Sequence, residues 1–473
     1  MIKISKNYIY LAVIIIFSFF LFRQSDITLF RPVYVRVKEL ELFSVEFWVL
    51  VIFSVFIAAS FIRYKGYLFE KFIIGFFASL ILTDSVYKFA SVQISDIFGF
   101  LAVFTYCFRS ILTGKGIKIN IDFIKKPPGK LMLITFLICF ISLLSPGCAY
   151  LYEKIGNGSN ILSNITSWLY LVRIVILFLL CNILYNASLA NKGLVKNCLK
   201  ILLYSGILGC LVYWTQIGLS VFNTYDVNGI FNDFGFPRAK GLAHEPATFA
   251  HSLFFIIILS LINERKMNLK IFVLILTMIA TFSLGMYITA GLCLIIYCLN
   301  KFINTPKKVK SIVIAILFSG ILLAFLYHAG DISFKIGYKF IYHIQNKLFE
   351  QNPLIDILFQ QYPSVKLFGV GLLNSVQFFA DSFEVRNSYS LIYQDTGMIG
   401  FLLFVFLLFY NLFICFKNSK SDGKFLLFSY IFSFCLITLS VIRLTFFPYL
   451  WLGLTLFYDK SLFDIKEDFF KSI

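Results

Sequence analysis

Charge is scarce in this chain. Asp, Glu, Lys and Arg make up 14% of its 473 residues, against roughly 25% in soluble domains. Hydrophobic residues make up 59% and the mean hydropathy is +0.86, more apolar surface than a water-soluble core of this length could bury. Strand-like alternation is also missing. The apolar runs are continuous, whereas a membrane β-barrel would alternate apolar and polar residues in ~10-residue segments. The ten cysteines contain no CxxC pair and no Cys/His cluster at zinc spacing, so no metal is expected and they read as small apolar core residues. No internal repeat is visible, which counts against transporter architectures built from duplicated halves. No small-residue cleavage site follows Lys3, Lys6 and the apolar run at 8–22, so that run reads as a retained first span.

What is present is a series of apolar runs between residues 8 and 458, each long enough to cross a hydrocarbon core of roughly 30 Å. The fold class expected is all-α, a polytopic membrane protein. The formal net charge of +18 would suggest nucleic acid on a soluble protein. Here the Lys and Arg sit in short loops between spans, as the positive-inside bias requires, and no nucleic-acid partner is expected.

Spans are expected at about 8–22, 43–62, 72–90, 97–112, 131–148, 164–185, 201–222 and 246–262. With the N-terminus inside, the basic loops at 113–130, around Lys192, Lys196 and Lys200, and around Arg265, Lys266 and Lys270 are all cytoplasmic. The loop at 23–42, with Arg23, Arg31, Arg36 and Lys38, runs against this bias. Residues 271–299 would make a single helix of about 43 Å, too long for one span, and both flanks are basic. Two short helices turning near Ser283 and Gly285 satisfy both facts. A span at 311–327 then leads outside to a long segment, 329–391, without a span-length apolar run. Its helical periodicity and aromatic content predict a folded, amphipathic external loop. Spans at 392–416, 425–441 and 446–458 follow. The total is about 14 spans (12–14) in a single membrane domain, 1–473, with both termini inside.

Three arginines fall on the external side of this topology: Arg238, Arg386 and Arg443. Each alone could be an interfacial snorkeller. Three together, against the positive-inside bias, point to an anion, and planar Arg suits phosphate. "PRAKGLAHEPATFA" (237–250) adds Lys240 and a helix start, with Pro246 at its first position and Glu245 at its cap. A helix N-terminus also attracts phosphate. The plainer reading is a capped helix whose loop charges lie in water. His244 and Glu245 are candidate bases, although a carboxylate beside Arg and a helix N-terminus is a poorer base. His244, Thr248 and His251 share one face, and His251, inside the span, reads as a hydrogen-bonded structural residue. "GVG" at 369–371 follows no strand and opens no βαβ unit, so it reads as a turn in the long loop.

Two stretches carry a family resemblance. "PRAKGLAHEPATFA" resembles an R-x-x-G-x-x-x-E-P segment of O-antigen polymerases. "LFGVGLLNSV" followed by "RNSYSLIYQDTGMIGFLLF" resembles the segment that closes their large periplasmic loop. Arg386 and Gly397 have ten residues between them, as in the R-x10-G pattern of Wzy-type polymerases. These motifs cover about 45 residues. Span order and the place of the long loop extend the likeness over most of the chain.

The resemblance implies a GT-C-type glycosyltransferase of the O-antigen ligase/polymerase superfamily, in a bacterial inner membrane with its active site facing the periplasm. Such enzymes move a growing glycan from undecaprenyl pyrophosphate to a sugar hydroxyl of the next lipid-linked repeat unit, without metal or other cofactor. The partners it implies are that lipid-linked oligosaccharide, membrane lipid and a chain-length regulator protein. Arg238, Arg386, Arg443 and Lys240 would bind pyrophosphate. Glu245 or His244, with Arg386, would serve the chemistry. The related ligases, which move glycan to the lipid A core, carry His where this chain has Arg386, so the resemblance favours a polymerase. A flippase or other transporter of lipid-linked oligosaccharide is the alternative from another class. It predicts charges deep in several spans, and Asp84, Lys88, Arg109 and Arg173 form no evident path.

Overall fold

The computed structural model describes residues 45–82, 88–89, 92–114, 120–145, 161–190, 192–221, 239–243, 246–283, 286–287, 289–295, 359–360, 362–371, 388–418, 422–437 and 448–456. These are almost entirely helical. In chain order the helices begin with α1 (Val45–Arg63), α2 (Leu68–Ser79), α3 (Ile94–Leu112), α4 (Ile121–Lys125) and α5 (Pro127–Leu143). Next come α6 (Ile161–Ala190), α7 (Lys192–Val221), α8 (Pro246–Glu264) and α9 (Leu269–Ala280). The last are α10 (Pro363–Phe368), α11 (Ser388–Lys417), α12 (Asp422–Ile437) and α13 (Pro448–Leu456). Among the described residues, five helical stretches are long and apolar enough to cross a membrane: Ile94–Leu112, Trp168–Ala187, Gly193–Ser220, Pro246–Glu264 and Tyr389–Lys417. The chain is an all-α protein with the helices of a membrane protein.

Two compact units divide it. The first holds the described residues before Asn120 and those from Leu179 to Met286. The second holds Asn120 to Phe178 and the described residues from Tyr287 onward.

In the first unit α2 packs on α1, α3 and α7, burying Ile73, Ile74, Phe76 and Phe77. Glu70 reaches back to accept from the Tyr67 backbone N–H at 2.9 Å, which secures the first turn of α2. The Ser205 hydroxyl on α7 donates to the Ala78 carbonyl at 2.7 Å. The expected span at 72–90 is corrected here. The helix ends at Ser79, a 3-10 turn carries the chain to Leu82, and a two-residue hairpin pairs Lys88 with Gln93 and Phe89 with Val92. The apolar composition of 72–90 hides an early helix end, and a strand pair needs only four residues.

α9 is tied to α7 by two bonds. Tyr213 donates its hydroxyl to the Ala280 carbonyl at 2.6 Å, and Trp214 Nε1 donates to Thr277 Oγ1 at 3.0 Å. The break expected within 271–299 falls where α9 stops. Phe282 takes a left-handed φ of 47° shortly after it, and helix is present again at 286–287 and 289–295. The Lys192–Lys200 stretch, expected as a loop, forms the first turns of α7. Lysines are good helix formers, and at a helix end their heads can leave the apolar layer.

In the second unit Asn120 caps α4 by accepting from the Asp122 N–H at 2.9 Å. Pro127 sits at the start of α5, where its missing N–H costs nothing. This helix begins earlier than the expected 131. α5 packs along α11, and Asn411 on α11 donates to the Pro127 carbonyl at 3.3 Å. Cys139, Leu143, Leu171 and Ile174 form a small core between α5 and α6. Seven cysteines have described side chains and all are free thiols; only Cys107 among them is not buried.

Candidate functional site

Lys240 is the member of the proposed anion site that the described residues include. Arg238, His244, Glu245, Arg386 and Arg443 lie outside them. The segment 239–243 is held from the side by Gln216 near the end of α7. The Gln216 amide nitrogen donates to the Gly241 carbonyl at 3.0 Å, and the Gly241 N–H donates to the Gln216 side-chain oxygen at 2.8 Å. One side-chain amide thus pairs with a peptide group as a neighbouring strand would. Gly241 has a left-handed φ of 59°, and a Cβ there would lie 2.8 Å from the Phe249 ring. The Ala243 N–H closes the turn onto the Lys240 carbonyl at 3.2 Å. Tyr213 stacks on Phe249 with centroids 5.9 Å apart, so α7, the loop and the first turns of α8 form one packed body.

This packing buries the loop. Lys240 is only 8% exposed, and Ala239, Leu242 and Ala243 are buried around it. Burial pushes the Lys240 ammonium below its ordinary pKa, with no opposing contribution from a carboxylate. Among the described residues its charge is uncompensated. The reading of 239–243 as loop charges in water does not fit this burial.

α8 starts at Pro246, as expected, and is interior to its unit: Thr248 and His251 are buried with almost every other residue along it. The expectation of a hydrogen-bonded His251 is corrected. Both ring nitrogens are buried and neither has a hydrogen-bond partner among the described residues.

The second unit brings together two stretches that lie apart in sequence. "GVG" (369–371) is more than a turn. Its backbone lies against a kink in α11, where Gly397 leaves the helix with φ 69° and ψ −174°. Gly369 has φ 80° and ψ −178°. Both are in a backbone region that essentially only glycine occupies. A kink there interrupts the helix ladder and frees carbonyls just before it. Val370 donates its N–H to the Gln394 carbonyl and Gly371 to the Asp395 carbonyl, each at 3.0 Å. The two backbones touch: a Cβ on Gly369 would overlap the Asp395 carbonyl, and one on Gly397 would overlap Leu367. Ser145, just past α5, donates to the Gly369 carbonyl at 2.9 Å.

The clamp encloses polar side chains. Gln394, Asp395 and Thr396 are all buried, at 1%, 2% and 5% exposure. Thr396 donates to the Ile392 carbonyl at 2.6 Å. Among the described residues the Gln394 side chain has no hydrogen-bond partner for either its oxygen or its nitrogen, although both atoms are buried. Beyond Gly397 the helix continues for about 20 residues, or ~30 Å, which matches a hydrocarbon core. Its exposed stripe of Leu402, Phe406, Phe409, Tyr410, Phe413 and Phe416 suits lipid. The residues beyond Gly397 are by themselves long enough to cross such a layer.

Two cations inside spans sit over aromatic faces. The Arg109 guanidinium lies 3.3 Å from the Tyr67 ring centroid, and that of Arg173 lies 5.9 Å from the Tyr170 centroid. Such contacts lower the cost of keeping a cation in an apolar setting.

The residues that sequence reasoning passes over are Gln216, Gln394 and Asp395. The signal available for the last two is a polar run, "QDTG", inside a long apolar helix. Gln216 leaves no such mark. No family model, no curated protein and no solved structure matches this chain.

Proposed function

We propose that this chain polymerises lipid-linked glycan repeat units. It would transfer the growing glycan from undecaprenyl pyrophosphate to a sugar hydroxyl of the next unit. In this reading it is a GT-C-type glycosyltransferase of about 14 spans in a bacterial inner membrane, with the site on the periplasmic face. The observation that carries the reading is Lys240, a buried ammonium without a counter-charge among the described residues, a few residues ahead of the start of α8. An anion is the ligand that would relieve that burial, and a helix N-terminus favours the same ligand.

The chemistry follows from charge. Breaking the anomeric C–O bond leaves negative charge on the lipid pyrophosphate. Cations fixed in a partly dry site stabilise that transition state, where losing one donor costs ~3–4 kcal/mol. Lys240, Arg238 and Arg386, with Arg443, take the pyrophosphate in this proposal. His244 or Glu245 orients or deprotonates the acceptor hydroxyl. The meeting of "GVG" with "QDTG" supports the same reading, since both stretches belong to the motif that resembles the polymerases.

The test is complementation. Cells in which this chain is replaced by Arg386→Ala or Arg238→Ala should display single repeat units, with the protein at normal level in the membrane. Normal chain-length ladders from either variant would refute the assignment.

A further inference from the structure

Gln394 is a neutral side chain, 1% exposed, whose amide oxygen and nitrogen have no hydrogen-bond partner among the described residues. Its backbone carbonyl is taken by Val370, so its position is fixed while its amide is left over. Nothing in the packing of the clamp requires an amide there. An apolar side chain of equal length would fill the space and leave no polar atom orphaned. Residues that lower stability in this way without a structural return collect at binding sites.

We propose that Gln394 binds the saccharide of the repeat unit, by hydrogen bonds to adjacent hydroxyls or to an acetamido group. This rests on the polymerase reading above. The chemistry selects the ligand. An amide offers an acceptor and two donors without charge, which suits a neutral ligand with a donor and an acceptor side by side. The pyrophosphate needs cations instead. On the polymerase reading the ~30 Å of helix beyond the kink crosses the apolar layer, which puts Gln394 at the level where a lipid-linked sugar emerges. The half-buried Tyr393 beside it, edge-on to Phe359 at 5.4 Å and to Phe401 at 5.8 Å, supplies a fixed aromatic ring at the same level. Gly369 and Gly397 are positioning residues in this scheme, because they hold the backbone of residue 394.

The experiment compares the full chain with Gln394→Met in lipid nanodiscs. The probe is lipid-linked repeat unit extracted from cells lacking this chain. Thermal unfolding and elongation rate are measured across a range of probe concentrations. The expected result is a Gln394→Met protein that melts higher than wild type without probe, yet gains little from it. Its KM for the repeat unit should rise about tenfold, the loss of one good hydrogen bond, with kcat changed little. A variant that melts lower without probe would show that the amide is satisfied structurally, and would overturn the proposal. So would a wild-type KM and a wild-type probe-induced shift, with the polymerase reading left intact. If wild type itself neither binds nor elongates the probe, the polymerase reading fails and this inference fails with it.

Discussion

Replacing Gly397 with alanine tests the clamp directly. The substitution has two costs. An L-residue at φ 69° is strained by about 1–2 kcal/mol. The new Cβ would also overlap the Leu367 carbonyl group and lie 2.5 Å from the Gly369 nitrogen, so the two backbones must separate. Separation breaks the bonds from Val370 and Gly371 to the Gln394 and Asp395 carbonyls. Each bond lost in a buried setting costs ~1–3 kcal/mol. The sum is ~3–8 kcal/mol, a large share of the roughly 5–15 kcal/mol that stabilises a typical domain. Gly218 in α7 is the internal control. A Cβ there meets nothing within 4 Å, and Gly→Ala in a helix gains up to ~1 kcal/mol. The same chemical change should therefore act with opposite sign at the two positions. Heating detergent-solubilised protein and following the monodisperse fraction by fluorescence-detected gel filtration would measure both. Gly397→Ala that survives heating as well as wild type and supports normal glycan ladders would refute the clamp.

Gln216→Leu should destabilise the first unit by ~2–5 kcal/mol, because it leaves the N–H and C=O of Gly241 without partners; the same heating assay reads it, and an unchanged profile would remove Gln216 from the site. Lys240 makes a pH prediction. Its folded pKa lies below the unfolded value of 10.5, so the unfolded chain binds more protons between the two, and stability should rise with pH through that window. Lys240→Met should remove this slope, seen as thermal midpoints across the alkaline range. On the proposed polymerase reading, kcat/KM, which reports the free protein, should fall on the alkaline side from below pH 10.5, and that fall should move to higher pH in Lys240→Arg, whose guanidinium keeps its proton. Coincident profiles would mean that Lys240 does not serve the anion.

Some of this was legible in the chain and some was not. Continuous apolar runs with a clear opening signal were read closely: α8 was expected at 246–262 and runs Pro246–Glu264, because a proline at the first position marks a helix start. α3 was expected at 97–112 and runs Ile94–Leu112. The start of α7 falls in the basic stretch of Lys192, Lys196 and Lys200, which the positive-inside bias reads as a loop. Charge sets membrane side but does not end a helix. The third span was overextended because composition averages over the hairpin at 88–93. At the site, Lys240 could be picked out by its charge, but its burial depends on a loop that Gln216 holds through the next residue, Gly241, across 25 residues of sequence. The meeting of Gly369 with Gly397 is backbone on backbone. Hydrophobic periodicity reports side-chain faces and is silent about such a contact.

The free thiols have a practical use in mapping the membrane sides. Six of the seven with described side chains are buried, beyond reach of a bulky, membrane-impermeant maleimide in folded protein. Serine at Cys107, and at Cys148, Cys298 and Cys435, leaves a chain that such a reagent should not mark. A single cysteine placed within 113–130 or within 329–391 then becomes its target. Whole cells should label the second and spare the first if the charge-derived orientation holds. The buried thiols can stay, so the core packing they provide is kept during the measurement.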